Sequence, residues 1–158
     1  MAERTVTVTT PDGPMAVYEA TPEGGATRGV VVIQEAFGVN RHIQSVTRRF
    51  ADAGYHAVAP ALFHRAGGGF IDDYDNIDFN ELIALFDGVT DDTILTDVDV
   101  ALGVLHDAGL ADEHIGVVGF CFGGRATFLV SARRALGAAV GFYGCLLYTS
   151  PSPRDRQK

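Results

Sequence analysis

The sequence predicts an α/β fold: a mostly parallel sheet covered by helices on both faces, with an N-terminal antiparallel hairpin. Three observations carry that prediction. Val30-Val31-Val32-Ile33 is continuously β-branched, as expected of a strand buried on both faces of a parallel sheet. Runs of this kind alternate with segments of helical apolar period, and parallel neighbours need such crossovers. Finally, Ile115-Gly116-Val117-Val118 leads into Gly119-Phe120-Cys121-Phe122-Gly123-Gly124 and a further helical pattern. That junction puts a cysteine at the apex of a tight strand-to-helix turn.

Each element has its own signal. Thr5 to Thr10 and Met15 to Ala20 alternate apolar and polar residues around the turn Pro11-Asp12-Gly13-Pro14, which reads as a hairpin. Pro22 to Gly29 is a loop before the Val30 strand. Asn40 is placed to cap a helix carrying Ile43, Val46 and Phe50 on one face and closed by Gly54. His56 to Ala59 is a short strand stopped by Pro60. Residues 67–90 are the least regular, with Phe79, Leu82, Ile83 and Phe86 at the spacing of a short helix. From Asp92 to Ala108, the residues Ile94, Leu95, Val98, Ala101, Leu102 and Leu105 form one stripe, and Gly109 follows as a C′ residue. The Ile115 strand, a helix to about Arg134 and an apolar strand from Ala138 to Tyr143 complete the order.

At 158 residues the chain is one domain at most, large enough for a real core. Hydrophobic residues make up 47%, ordinary for a globular protein, and no apolar run approaches membrane-spanning length. A net charge of −8 argues against nucleic acid or an anionic membrane as partner. Two cysteines, Cys121 and Cys145, make no disulfide framework, and the polar N-terminus has no signal-peptide core; a cytoplasmic location is expected. The only lysine is Lys158, which excludes P-loop or Schiff-base lysine chemistry in the body of the chain.

In a sheet of this kind the site lies beyond the carboxyl ends of the strands. Two segments end there with chemically useful residues. Cys121 is the candidate nucleophile. Gly119 and Gly123 are needed because a Cβ at either would clash across so sharp a turn. The helix that follows should favour the thiolate. Glu35, directly after the Val30 strand and Gln34, is the candidate proton acceptor, since a carboxylate at that edge is partly desolvated. The backbone N–H groups of Ala36 and Phe122 are candidates for an oxyanion hole.

Plainer readings compete. Cys121 would be a buried cysteine, or the turn a dinucleotide fingerprint. The fingerprint needs glycine where Cys121 stands and an acidic residue about 20 positions on, which is missing. Asp72-Asp73-Tyr74-Asp75-Asn76-Ile77-Asp78 fails the calcium-loop pattern, because Ile77 sits where a ligand should, and reads as a solvated face. His42, His56, His64, His106 and His114 form no zinc-binding spacing, so no metal is expected. His64 reads by default as a surface residue, and Arg65 as a candidate anchor for a substrate carboxylate.

Gln34-Glu35-Ala36-Phe37-Gly38-Val39-Asn40 together with Gly119-Phe120-Cys121-Phe122-Gly123-Gly124 resembles the dienelactone hydrolase family of α/β-hydrolases, also called carboxymethylenebutenolidases. The likeness extends to Pro60-Ala61-Leu62-Phe63 and Ala139 to Gly144. The resemblance implies cofactor-free hydrolysis of a small-molecule lactone or ester by a Cys-His-Asp triad. It assigns Cys121 as nucleophile, Glu35 as the carboxylate that activates it, and Ala36 and Phe122 as the oxyanion-hole amides. The family's triad acid and histidine follow the nucleophile. Here only Asp155 follows, and no histidine does. A related thioesterase or carboxylesterase, or a fragment without turnover, are the alternatives; substrate and oligomeric state are left open.

After Gly144 the sequence loses helix or strand period and gathers prolines and basic residues. The expectation is therefore a partial α/β-hydrolase domain at 1–144, lacking its C-terminal part. Residues 145–158 are expected to be a disordered, non-native tail resembling adaptor read-through.

Overall fold

Turn chemistry at Asp12-Gly13 folds the chain back on itself. Strands β1 (Ala2–Thr10) and β2 (Gly13–Thr21) pair antiparallel, from Ala2 opposite Thr21 to Thr10 opposite Gly13. Gly13 has φ +116°, which a side-chain-bearing residue adopts only under strain. The computed structural model of the chain describes residues 1–145. The tail expected at 145–158 therefore lies, apart from Cys145, outside the described residues.

The remaining elements are β3 (Gly29–Ile33), α1 (Arg41–Asp52), β4 (His56–Pro60), α2 (Phe79–Leu85), α3 (Asp91–Asp107), β5 (Ile115–Phe120), α4 (Phe122–Arg133) and β6 (Ala138–Phe142). Short 3-10 turns occupy His64–Ala66 and Asp112–His114. One sheet of the described residues runs β1-β2-β4-β3-β5-β6. The hairpin joins it antiparallel through β2 and β4, while β4, β3, β5 and β6 are parallel neighbours. The mostly parallel α/β sheet predicted from the strand pattern is what forms.

Alternation along β3 explains the two cores. Val31 and Ile33 point to the side of α3 and α4, where they meet Val98, Leu102, Leu105, Ala126 and Val130. Val30 and Val32 point to the side of α1, where they meet Ile43, Val46, Ala57 and Ala59. All of these are buried, and each large aliphatic side chain contributes about 1.5–3 kcal/mol by leaving water. Asn40 caps α1 by accepting from the Ile43 N–H at 3.2 Å, a contribution of about 1 kcal/mol. A capping box between Thr90 and Thr93 starts α3.

The insert between β4 and α3 departs from its pattern. Its helix α2 forms where the spacing predicts, but Phe79 and Ile83 face outward at 72% and 68% exposure, and of the residues in α2 only Leu85 is buried. At the other extreme of the sheet, every residue of β6 is exposed. A cleft of about 390 Å³ beside Gly29, Ile115, Gly116 and Ala138 opens at the amino ends of the strands, away from Cys121. No helix among the described residues is long and apolar enough to cross a membrane.

Candidate active site

The turn between β5 and α4 is built backbone against backbone. A Cβ added at Gly119 would lie 2.0 Å from the Gly123 carbonyl oxygen, and one at Gly123 would lie 2.3 Å from the Ile33 oxygen. A Cβ at Gly124 would come within 2.6 Å of the Phe142 oxygen. The three glycines thus let the turn close on itself, on the end of β3 and on the end of β6. Cys121 takes the residual strain, with φ +56° and ψ −117° at the N-cap of α4. Its N–H donates to the Phe142 carbonyl at 3.0 Å, and its carbonyl accepts from the Arg125 N–H at 3.2 Å. The cysteine is half-buried, neither sealed in the core nor fully open.

The end of β3 is held equally firmly. Gln34 is fully buried; its Oε1 accepts from the Leu62 N–H at 3.0 Å and its Nε2 donates to the Glu35 carbonyl at 3.3 Å. Gly38, at φ +81°, lies so close to Gly69 and Phe70 that a Cβ there would meet both at 2.8 Å. Asn40 Nδ2 donates to the Ile71 carbonyl at 2.9 Å and to the Tyr74 hydroxyl at 2.7 Å. The backbone carrying Glu35 and Ala36 is therefore pinned from the segment just after β4, from the insert and from the elbow. Glu35 itself is half-buried, and its Oε1 accepts from the Tyr143 hydroxyl at 2.9 Å.

Tertiary contacts at the sulfur work against the helix terminus. Burial pushes the Cys121 thiol above its ordinary value. The Phe122 N–H opposes this, while the Cys145 thiol and the Glu35 carboxylate reinforce it. The helix terminus does act in the predicted direction through Phe122, but desolvation, reinforced by Cys145 and Glu35, outweighs it. The net push on the sulfur is toward the thiol, against the pull of the helix terminus.

Two further expectations are corrected. His64 is not a surface residue: its side chain is 4% exposed and its Nε2 sits 3.2 Å from both Asp97 oxygens. Arg65 is not free to anchor a substrate carboxylate. It binds Asp97 through two nitrogens at 2.7 and 2.9 Å and Asp12 through Nε at 2.7 Å. The acidic segment stays largely exposed, as expected, but Asp72 pairs with Arg41 and Asp78 caps α2. Among the described residues no group of three or more His, Cys, Asp or Glu is arranged to hold a metal ion. His56 is paired with Glu19 and His106 with Asp112, and no described histidine is hydrogen-bonded to Cys121. Sequence reasoning missed Tyr143; its place at the carboxyl end of the last strand, next to Gly144, was the available signal.

Comparison with known proteins agrees with this architecture. Residues 15–158 match the model of the dienelactone hydrolase family. Proteins of Methylorubrum extorquens and Yersinia pestis, both carrying the name "Putative carboxymethylenebutenolidase", are 39% and 41% identical over 141 and 143 residues. These alignments take in 86% and 84% of this chain but 47% and 50% of theirs, so the chain spans about half the length of these relatives. A crystal structure titled as a "Putative Dienelactone Hydrolase" from Klebsiella pneumoniae superposes with a TM-score of 0.75 at 34% identity, over 93% of this chain and 62% of that one. Matched by the family model over residues 15–158, the chain belongs to the dienelactone hydrolase family.

Proposed function

We propose that the chain carries the acylating half of a cysteine hydrolase acting on a small lactone or ester. Cys121 gives up its thiol proton to Glu35, and the sulfur adds to the acyl carbonyl carbon. The backbone N–H groups of Ala36 and Phe122 stabilise the oxyanion that forms. Collapse of the tetrahedral intermediate breaks the C–O bond, the leaving oxygen takes the proton held by Glu35, and a thioester on Cys121 remains. Burial disfavours a free thiolate, so a carboxylate that takes the proton as the sulfur attacks suits the site.

The observation that carries this reading is the elbow, which holds a strained, half-buried Cys121 and packs through Gly123 against the strand end bearing Glu35. Hydrolysis of the thioester needs a second base. A triad histidine after Cys121 does not occur in this sequence, so acylation without fast turnover is expected of the chain as it stands. Mixing it with p-nitrophenyl acetate should release a burst of one equivalent of p-nitrophenolate that Cys121→Ala abolishes. Sustained rapid turnover, or a burst that survives Cys121→Ala, would contradict the proposal. Thioesterase or carboxylesterase activity would use the same acylation step, and a chain without any burst is a non-catalytic one.

A further inference from the structure

We propose that Tyr143 is a positioning residue for Glu35, holding one carboxylate oxygen so that the other is presented to the Cys121 thiol. The inference rests on the reading of Glu35 as the acceptor of the thiol proton. Topology makes the contact informative. In the sheet, β5 lies between β3 and β6. The hydrogen bond from Tyr143 to Glu35 joins the ends of β3 and β6, and so passes across the carboxyl end of β5, where Cys121 sits.

Backbone conformation points the same way. Among the described residues, Cys121 and Tyr143 are the only non-glycine positions with positive φ, +56° and +37°. A tyrosine in that region is disfavoured unless contacts hold it there. Here the preceding carbonyl, Phe142, accepts the Cys121 N–H at 3.0 Å, and the Tyr143 ring packs on Phe120 with centroids 6.2 Å apart. Tyr143 is otherwise exposed, at 66%, so these contacts rather than burial set its direction.

The chemistry of the donor suits the task. A phenol supplies one neutral O–H, which fixes a carboxylate oxygen without the full positive charge that would strip the carboxylate of its basicity. Desolvation, together with the bond to Glu35 and the Glu35 charge, pushes the Tyr143 phenol up to about 12, so it remains a donor wherever a thiol–carboxylate pair can work. An unrestrained glutamate samples several rotamers, and restricting it to the reactive one raises the rate of proton transfer.

A double-mutant cycle on the p-nitrophenyl acetate burst tests this. Tyr143→Phe keeps the ring and removes the donor, and should slow the burst by about three- to tenfold, the worth of one net hydrogen bond. Glu35→Gln should slow it more, and Tyr143→Phe should add nothing in the Glu35→Gln background. An equal slowing by Tyr143→Phe in both backgrounds would mean a general structural role and overturn the inference. A slow Glu35→Gln burst with no effect of Tyr143→Phe would overturn it while leaving the Glu35 reading intact. A Glu35→Gln burst at the parent rate would bring down that reading and the inference with it. A second readout needs no Tyr143 variant. In ring-labelled tyrosine NMR, Glu35→Gln should shift the Tyr143 ionisation downward, toward the ordinary tyrosine value. An unmoved ionisation would show that the two side chains do not interact and would overturn the proposal.

Discussion

Among the described residues, Asp97, Glu19 and Glu35 are carboxylates drawn out of bulk water, and they are held in two different ways. Asp97, on α3, takes two bonds from Arg65 and a third contact from His64, and Glu19, on β2, is bonded to Arg4 and His56. Both are almost completely buried. Glu35 is half-buried, meets one phenol and no described cation, and lies near enough to Cys121 to raise its thiol. A carboxylate saturated by charged donors is a poor base, and its work is to tie elements together. One held by a single neutral donor beside a thiol keeps lone pairs for proton transfer. On this division, Asp97 and Glu19 maintain the fold, and Glu35 is left available for the chemistry proposed for it.

Cutting the Asp97 cluster should have the largest effect. Asp97→Ala leaves Arg65 largely buried with only Asp12 as counter-charge, and urea unfolding should show a loss of about 3–5 kcal/mol. At temperatures where the variant remains folded, the p-nitrophenyl acetate burst should keep its rate. A stable variant with a slowed burst would erase the distinction between the two kinds of carboxylate.

Glu35→Gln should give the mirror image. Its unfolding free energy should stay within about 0.5 kcal/mol of the parent. Its burst should slow by about 10²-fold, the lower range for loss of a general base. The same substitution removes a negative charge that raises the thiol, so the pH midpoint of Cys121 alkylation should fall. A slower ester burst with a lower alkylation midpoint separates the base role from the field effect.

Glu19 sharpens the contrast through pH. Burial alone would raise its pKa, but the Arg4 and His56 donors win and hold it below the ordinary 4.5. A depressed folded value means its stabilisation is fully present above pH 4.5 and fades as the pH falls through the folded value. Urea midpoints should therefore drop on acidification below that point. Glu19→Gln should flatten this acid limb and cost about 2 kcal/mol at neutral pH. An unchanged acid limb would remove Glu19 from the fold-maintaining set.

The smallest effect is expected under the elbow. The Thr127 hydroxyl is buried without a hydrogen-bond partner among the described residues, close to where a Gly119 side chain would fall. Thr127→Val should be neutral or raise the melting temperature slightly, because it replaces an unsatisfied hydroxyl with a methyl of similar size. Marked destabilisation would mean that the hydroxyl has a partner.

What could be read from the sequence was local. The β-branched run at Val30 to Ile33, the stripe from Ile94 to Leu105 and the turn at Asp12-Gly13 fix their elements through nearest neighbours, and those elements formed where expected. The elbow was legible for the same reason, since the clashes that demand Gly119 and Gly123 arise within a few residues of Cys121 and at the neighbouring strand end. The role of His64 and Arg65 was not legible. It depends on Asp97, more than thirty residues away, and neither spacing nor period announces such a pairing. The balance of effects on the Cys121 thiol was only partly legible, because the helix terminus is a local feature, while desolvation and the approach of Glu35 and Cys145 are tertiary ones. Tyr143 escaped notice on the same grounds, its partner lying 108 residues earlier.

The central claim is that the Cys121 sulfur takes the acyl group. Acid quenching of the p-nitrophenyl acetate reaction within the burst, followed by peptide mass mapping, reads this directly. A single acetyl group on the peptide containing Cys121, lost on treatment with hydroxylamine, is the result expected. Acetylation confined to other residues, or none during a genuine burst, would contradict the account.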